Sequence, residues 1–143
     1  MEDWIIKEQL HFAAADGDTE KMKALLNEGY DINAFDEDLG KTPLHYAVKN
    51  NKIQAVQLLI QAGADVNAND TSKINNTPLG EVAGDCSYEM AKILIEAGSD
   101  PTIPGWMQLT ALDRARQRKK AEGRQVYDLL LKTARTKFNY IEK

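Results

Sequence analysis

Four leucines, Leu10, Leu44, Leu79 and Leu112, recur at spacings of 34, 35 and 33 residues, and each sits in a related hexapeptide. "TPLHYA" begins at Thr42, "TPLGEV" at Thr77 and "TALDRA" at Thr110, while "LHFAAADGD" from Leu10 keeps the rest and lacks the threonine. A second landmark repeats in phase, as "EGYDIN" (Glu28–Asn33), "AGADVN" (Ala62–Asn67) and "AGSDPT" (Ala97–Thr102). A period of about 33 residues constrains the fold strongly, because one such unit cannot bury its own apolar face and has to stack on its neighbours.

The local chemistry of a unit specifies two helices. Thr42 and Thr77 stand where a helix N-cap belongs, and Pro43 and Pro78 follow at the first helical position, where a missing N–H is harmless. His45 lies three residues after its cap and Asp113 three after Thr110, the capping-box position. His11 has the same phase as His45, so the two histidines of the chain are equivalent copies and not partners in one site. The first helix, "PLHYAVKN", gives way at Asn51 to a second, "IQAVQLLIQA"; Gly17 is the matching turn residue, and Cys86 of "DCS" stands in that place in the third unit. Gly29, Gly63 and Gly98 are placed as left-handed ends of the second helices. Val56, Leu58, Leu59 and Ile60, and likewise Ile93, Leu94 and Ile95, need neighbours on both sides.

The stretch "GKTPLHYAVKNNKIQAVQLLIQAGADVNAND" (Gly40–Asp70) resembles an ankyrin repeat, and the resemblance extends over residues 8–131, weakening toward both ends. It implies an all-α solenoid of stacked antiparallel helix pairs with β-turn finger loops, and a concave face of fingers and first helices where protein partners bind. The implied units of a single domain are 1–33, 34–67, 68–102 and 103–137, with a tail at 138–143. Upstream, "DWIIKEQ" reads as a helical extension in which Trp4 covers the first core, with Glu8 in place of the threonine cap.

Departures from the pattern mark candidate functional positions. From Asp31 to Thr42 is eleven steps, from Asp65 to Thr77 twelve and from Asp100 to Thr110 ten, where the family has ten. The first two fingers, Ala34–Lys41 and Ala68–Asn76, are therefore long, either through drift in exposed loops or as tailored contacts. The third, Thr102–Leu109, gains Trp106 and Met107, which suit either a binding anchor or a cover for the last core. Three extra residues within Arg116–Arg124 fit a longer first helix or an irregular loop.

By the resemblance, the concave row comprises Phe12, Tyr46, Glu81 and Arg114, with Asp16, Lys49, Asn50 and Asp85 beside the inter-helix turns. Phe35, Glu37 and Asp38 on one finger and Ser72, Lys73 and Ile74 on the next, with Trp106, complete the candidate partner surface. Asp36 and Asp70 fit a turn-closing role instead.

Residues 1–109 carry 8 basic and 18 acidic side chains, a net of −10, and residues 110–143 carry 10 and 4, a net of +6. The acidic, aromatic-dotted half suits a basic protein partner, bound either by an adaptor or by a dedicated inhibitor of a basic toxin or nuclease. The basic run from Arg114 to Arg124 reads as solvated capping surface, as a match for an acidic protein, or as a nucleic-acid contact that no recognition motif supports. The spacing of His11 and His45 and the absence of a phosphate loop or ligand cluster argue against catalysis, metal and cofactor. Cys86 reads as a packed or incidental residue. With one cysteine, no apolar run of about 18 residues and an acidic N-terminus, the chain is expected to be a soluble, cytoplasmic monomer.

Overall fold

A computed structural model describes residues 3–141, with side chains from residue 5 onward, so the place of the Trp4 side chain lies outside the described residues. In chain order the helices are α1 (Asp3–Lys7), α2 (Gln9–Asp16), α3 (Thr19–Asn27), α4 (Pro43–Lys49), α5 (Ile53–Gln61), α6 (Pro78–Val82), α7 (Tyr88–Glu96), α8 (Ala111–Arg116) and α9 (Ala121–Lys137), and there is no strand among the described residues. The fold is all-α, as the repeat pattern requires.

Local capping starts these helices where the repeats place them. Thr42 Oγ1 accepts the His45 N–H at 3.3 Å while His45 Nδ1 accepts the Thr42 N–H at 3.1 Å, a closed capping box. Thr110 and Asp113 form the same box at 3.0 Å each way. Thr77 accepts the Gly80 N–H, and Gly80 has no side chain to return the bond. Glu8 makes no side-chain cap; α1 runs up to α2 there, the upstream helix that the sequence leads one to expect. Gly29, Gly63 and Gly98 close the outer helices at φ of 96°, 96° and 103°, and the next N–H in each case reaches back to Leu25, Leu59 or Leu94.

The third inter-helix turn differs from the first two. Gly17 and Asn51 are left-handed, but Cys86 is not. A Cβ makes that conformation costly, and α6 ends early, so the chain reaches Ser87, the N-cap of α7, without it. Cys86 is buried, which pushes its thiol up from the ordinary value. The inserted segment before α9 is likewise settled: α8 is not lengthened, and residues 117–120 form an irregular turn.

The first helices α2, α4, α6 and α8 pack side by side in that order, with α3 against α5 and α7 against α9 in the outer row. Leu10, Leu44, Leu79 and Leu112, the repeating leucines, are each 1% exposed or less, and Met22, Leu59, Met90 and Leu130 from the outer helices fill the space between the rows. Each unit is also hydrogen-bonded to the next. Asn33 Oδ1 accepts the Asp65 N–H at 2.8 Å and Asn67 Oδ1 the Asp100 N–H at 2.7 Å. Among the described residues no helix is long and apolar enough to cross a membrane.

Candidate functional site

The concave side is assembled by bonds between inner helices and fingers. His11 Nε2 lies 2.8 Å from the Ala34 carbonyl and His45 Nε2 2.7 Å from the Asn76 carbonyl, so each imidazole ties its helix to a finger. A carbonyl only accepts, which requires the proton on Nε2; for His45 that leaves Nδ1 free to accept the Thr42 N–H. Burial lowers the pKa of both rings and keeps them neutral. The copies differ in one respect: without a threonine cap before it, His11 Nδ1 is buried with no hydrogen-bond partner among the described residues.

In the first finger Asp36 is 5% exposed and closes the loop. Its Oδ1 accepts the Lys41 N–H at 2.8 Å, and its Oδ2 accepts the Tyr46 hydroxyl. Loss of solvent, then the hydrogen bond to Asp36, pushes the Tyr46 phenol above its ordinary value. Asp70 does similar work in the second finger, taking the Ser72 N–H at 3.0 Å and the Ser72 hydroxyl. Both aspartates thus have the turn-closing role read from the sequence.

The extra residues of the second finger are structural. Asn75 Nδ2 donates to the Gly40 carbonyl of the first finger, and Asn76 Oδ1 accepts the Trp106 N–H of the third at 3.0 Å. Two glycines permit this contact. A Cβ on Gly40 would lie 2.8 Å from Lys73 Cδ, and one on Gly105 only 2.1 Å from Asn76 Oδ1.

The expected row Phe12, Tyr46, Glu81, Arg114 divides in the middle. Glu81 is no free acid: its side chain is 12% exposed, 2.8 Å from Lys41 Nζ and 3.9 Å from Lys49 Nζ. Burial pushes its carboxyl up, but the Lys41 hydrogen bond and the charges of Lys41 and Lys49 outweigh this and leave it below the ordinary value. Asn50 is committed as well, donating to the Ala15 carbonyl at 3.0 Å. On one side of this neutralised centre, Phe12 and Phe35 are each 45% exposed beside exposed Asp16, Glu37 and Asp38. The carboxylates of this end crowd one another: burial and then Asp36, Glu37 and Asp38 raise the pKa of Glu8. On the other side Ile74, Trp106 and Met107 are exposed, and Trp106 is therefore not a cover for the last core. Asp85 is exposed in the turn after α6.

The third fingertip is strained and tightly held. Met107 and Gln108 both have φ of 60°, a conformation that costs about 1–2 kcal/mol for each residue bearing a Cβ. Asn76 fixes the Trp106 N–H, Arg114 Nη2 donates to the Trp106 carbonyl at 3.2 Å, and the Gly105 N–H reaches the Leu109 carbonyl at 2.9 Å.

The basic run is partly internal. Arg118 Nη1 donates to the Cys86 carbonyl at 2.8 Å and lies 3.5 Å from that of Ala83, while Glu122 Oε2 accepts the Tyr88 N–H at 3.2 Å. A cation thus meets the C-terminal end of α6 and an anion the N-terminal end of α7, the arrangement that helix dipoles favour. Gly123 is buried because Arg118 crosses it. Arg116 stacks over the Tyr127 ring at 5.8 Å, and Lys119, Lys120 and Arg124 are exposed.

The residues that sequence reasoning missed are Lys41, Asn75, Asn76 and Leu39, the last 50% exposed on the first finger. Only the extra finger length hinted at the asparagines; Lys41 and Glu81 are 40 residues apart, with no motif linking them. Among the described residues no group of three or more His, Cys, Asp or Glu could hold a metal ion. A sequence profile described as "Ankyrin repeats (3 copies)" matches residues 10–105. No curated protein matches the chain.

Proposed function

Since the chain belongs to the ankyrin-repeat family, we propose that it acts without catalysis, as a module that binds a basic protein through its concave face and finger loops. Members of this family are in general protein–protein interaction modules. One observation carries the choice of a basic partner: exposed Phe12, Phe35 and Leu39 lie with exposed Glu37 and Asp38, and none of these acids is in an ion pair among the described residues. Aromatic anchors rimmed by unpaired acid suit arginine-rich or lysine-rich surfaces. Tyr46 and Glu81 contribute indirectly, by holding the first finger and the centre of the face.

The test is a pull-down from native cell lysate with the wild type, a Phe12→Ala/Phe35→Ala variant and a Glu37→Lys/Asp38→Lys variant. A basic protein retained by the wild type and lost from both variants is the expected result. Equal retention by all three proteins, or a captured partner that is acidic, defeats the proposal.

A further inference from the structure

We infer that the end unit of the solenoid, α8 and α9, is a sequence-independent contact for the phosphate backbone of double-stranded nucleic acid. This is a second function, on a surface apart from the concave face and the fingers. Residues 110–137 carry 9 basic and 3 acidic side chains, a net of +6. Of these cations, Lys119, Lys120, Arg124, Lys132 and Lys137 are exposed and in no ion pair among the described residues. They stand on the turn before α9 and along its 17 residues, a rod of about 25 Å.

The three acids keep their charge and are counted in that balance. Asp113 closes the cap of α8, Glu122 accepts the Tyr88 N–H, and Asp128 lines a groove with Tyr88 and Lys132. Both carboxylates of α9 thus meet α7, and Lys132 shares its groove with one of them. The weight of the contact falls on Lys119, Lys120 and Arg124. The rest of the chain, with a net of −10 over residues 1–109, repels a polyanion and confines it to this end.

The make-up of the surface selects the partner. Protein interfaces are built round apolar anchors and are poor in lysine. Here Val126, Leu130 and Ala134 of α9 are buried, and beyond Met107 the one exposed large apolar side chain among the described residues is Ile141. Nucleic-acid interfaces are more polar and more positive, and phosphate contact needs cations without an apolar centre. An anionic membrane surface is better held where apolar groups insert beside the cations. Single strands are held by bases stacked on aromatic rings, but Tyr127 lies under Arg116 and Tyr140 packs on the core. A duplex asks only for the cations.

The test is fluorescence anisotropy with labelled duplexes of mixed sequence, one DNA and one RNA, each of about 20 base pairs, in about 50–200 mM salt. The proteins are the full chain, Lys119→Gln/Lys120→Gln, Arg124→Gln and Phe12→Ala/Phe35→Ala, each with a melting curve. Both duplexes should bind the wild type with Kd of about 1–100 μM at the lowest salt, and log K should fall against log salt with a slope of about −3, as for three phosphate contacts. The lysine pair variant should melt like the wild type, bind at least about tenfold more weakly and show a slope near about −1. Arg124→Gln should weaken binding in the same direction, and the Phe12/Phe35 variant should bind like the wild type. No binding at the lowest salt, or binding indifferent to the lysines, would overturn the inference. So would tighter binding of the single strands, of polyglutamate of matching charge, or of vesicles of equimolar phosphatidylserine and phosphatidylcholine. Duplex binding lost only in the Phe12/Phe35 variant overturns it as well, since the contact then lies on the concave face.

Discussion

His45 shows how much one side chain carries in this fold. It completes the cap of α4 through Nδ1 and holds the second finger through Nε2, and both bonds depend on the neutral ring. Replacing it with alanine leaves the Asn76 carbonyl without its partner and opens the cap, and we expect destabilisation of about 2–3 kcal/mol, read by urea unfolding. Acid acts on the same bonds. Both histidines have folded pKa values below the ordinary 6.5, so on acidification the unfolded chain takes up protons first. Stability is therefore full above about pH 6.5 and falls as the pH drops through and below it. Urea midpoints measured from about pH 7 to about pH 5 should decline in the wild type and decline less in His45→Ala. A flat wild-type profile would mean that the rings are not held neutral.

At the scale of elements, the irregular segments are where neighbouring units are joined. Gly123 gives the sharpest test. It lies within α9, where glycine-to-alanine ordinarily stabilises by about 1 kcal/mol. Here an added Cβ would stand 2.5 Å from Arg118 Cβ and 2.7 Å from Nε, so Arg118 would have to leave the carbonyls of Ala83 and Cys86. Gly123→Ala should therefore destabilise, by about 1–3 kcal/mol in a thermal or urea melt. The usual stabilisation would show that Arg118 is mere surface. The same reasoning separates the fingers from ordinary loops, since Asn75 and Asn76 bind the second to the first and third.

Across the whole molecule, charge is distributed unevenly while the core is uniform. The net of −10 on residues 1–109 and +6 on residues 110–143 makes the chain electrically two-ended, which bears on the kinetics of association and not on the fold. For a basic partner docking at Phe12 and Phe35, the association rate should fall several-fold between about 50 and 500 mM salt while dissociation changes less, as stopped-flow mixing would show. A salt-independent rate would place the contact away from the acidic half.

The architecture was legible because the units share a short set of local instructions: a buried leucine in all four, a threonine cap and a closing glycine in three each, and a proline after the cap in two. These act over a few residues, and recurrence near 33 residues makes stacking the one way to bury what remains apolar. The turn-closing aspartates were legible on the same local grounds. The working face was not. That Glu81 is spent on Lys41, that Arg118 caps a helix of the preceding unit, and that Trp106 faces outward all depend on contacts across 30 to 40 residues of chain. Such pairings arise only when neighbouring units stack at a particular offset, and a side chain in one sequence carries no mark of which distant carbonyl or carboxylate it will meet. Local bonding wrote the helices, and tertiary packing chose which of their side chains are left for a partner.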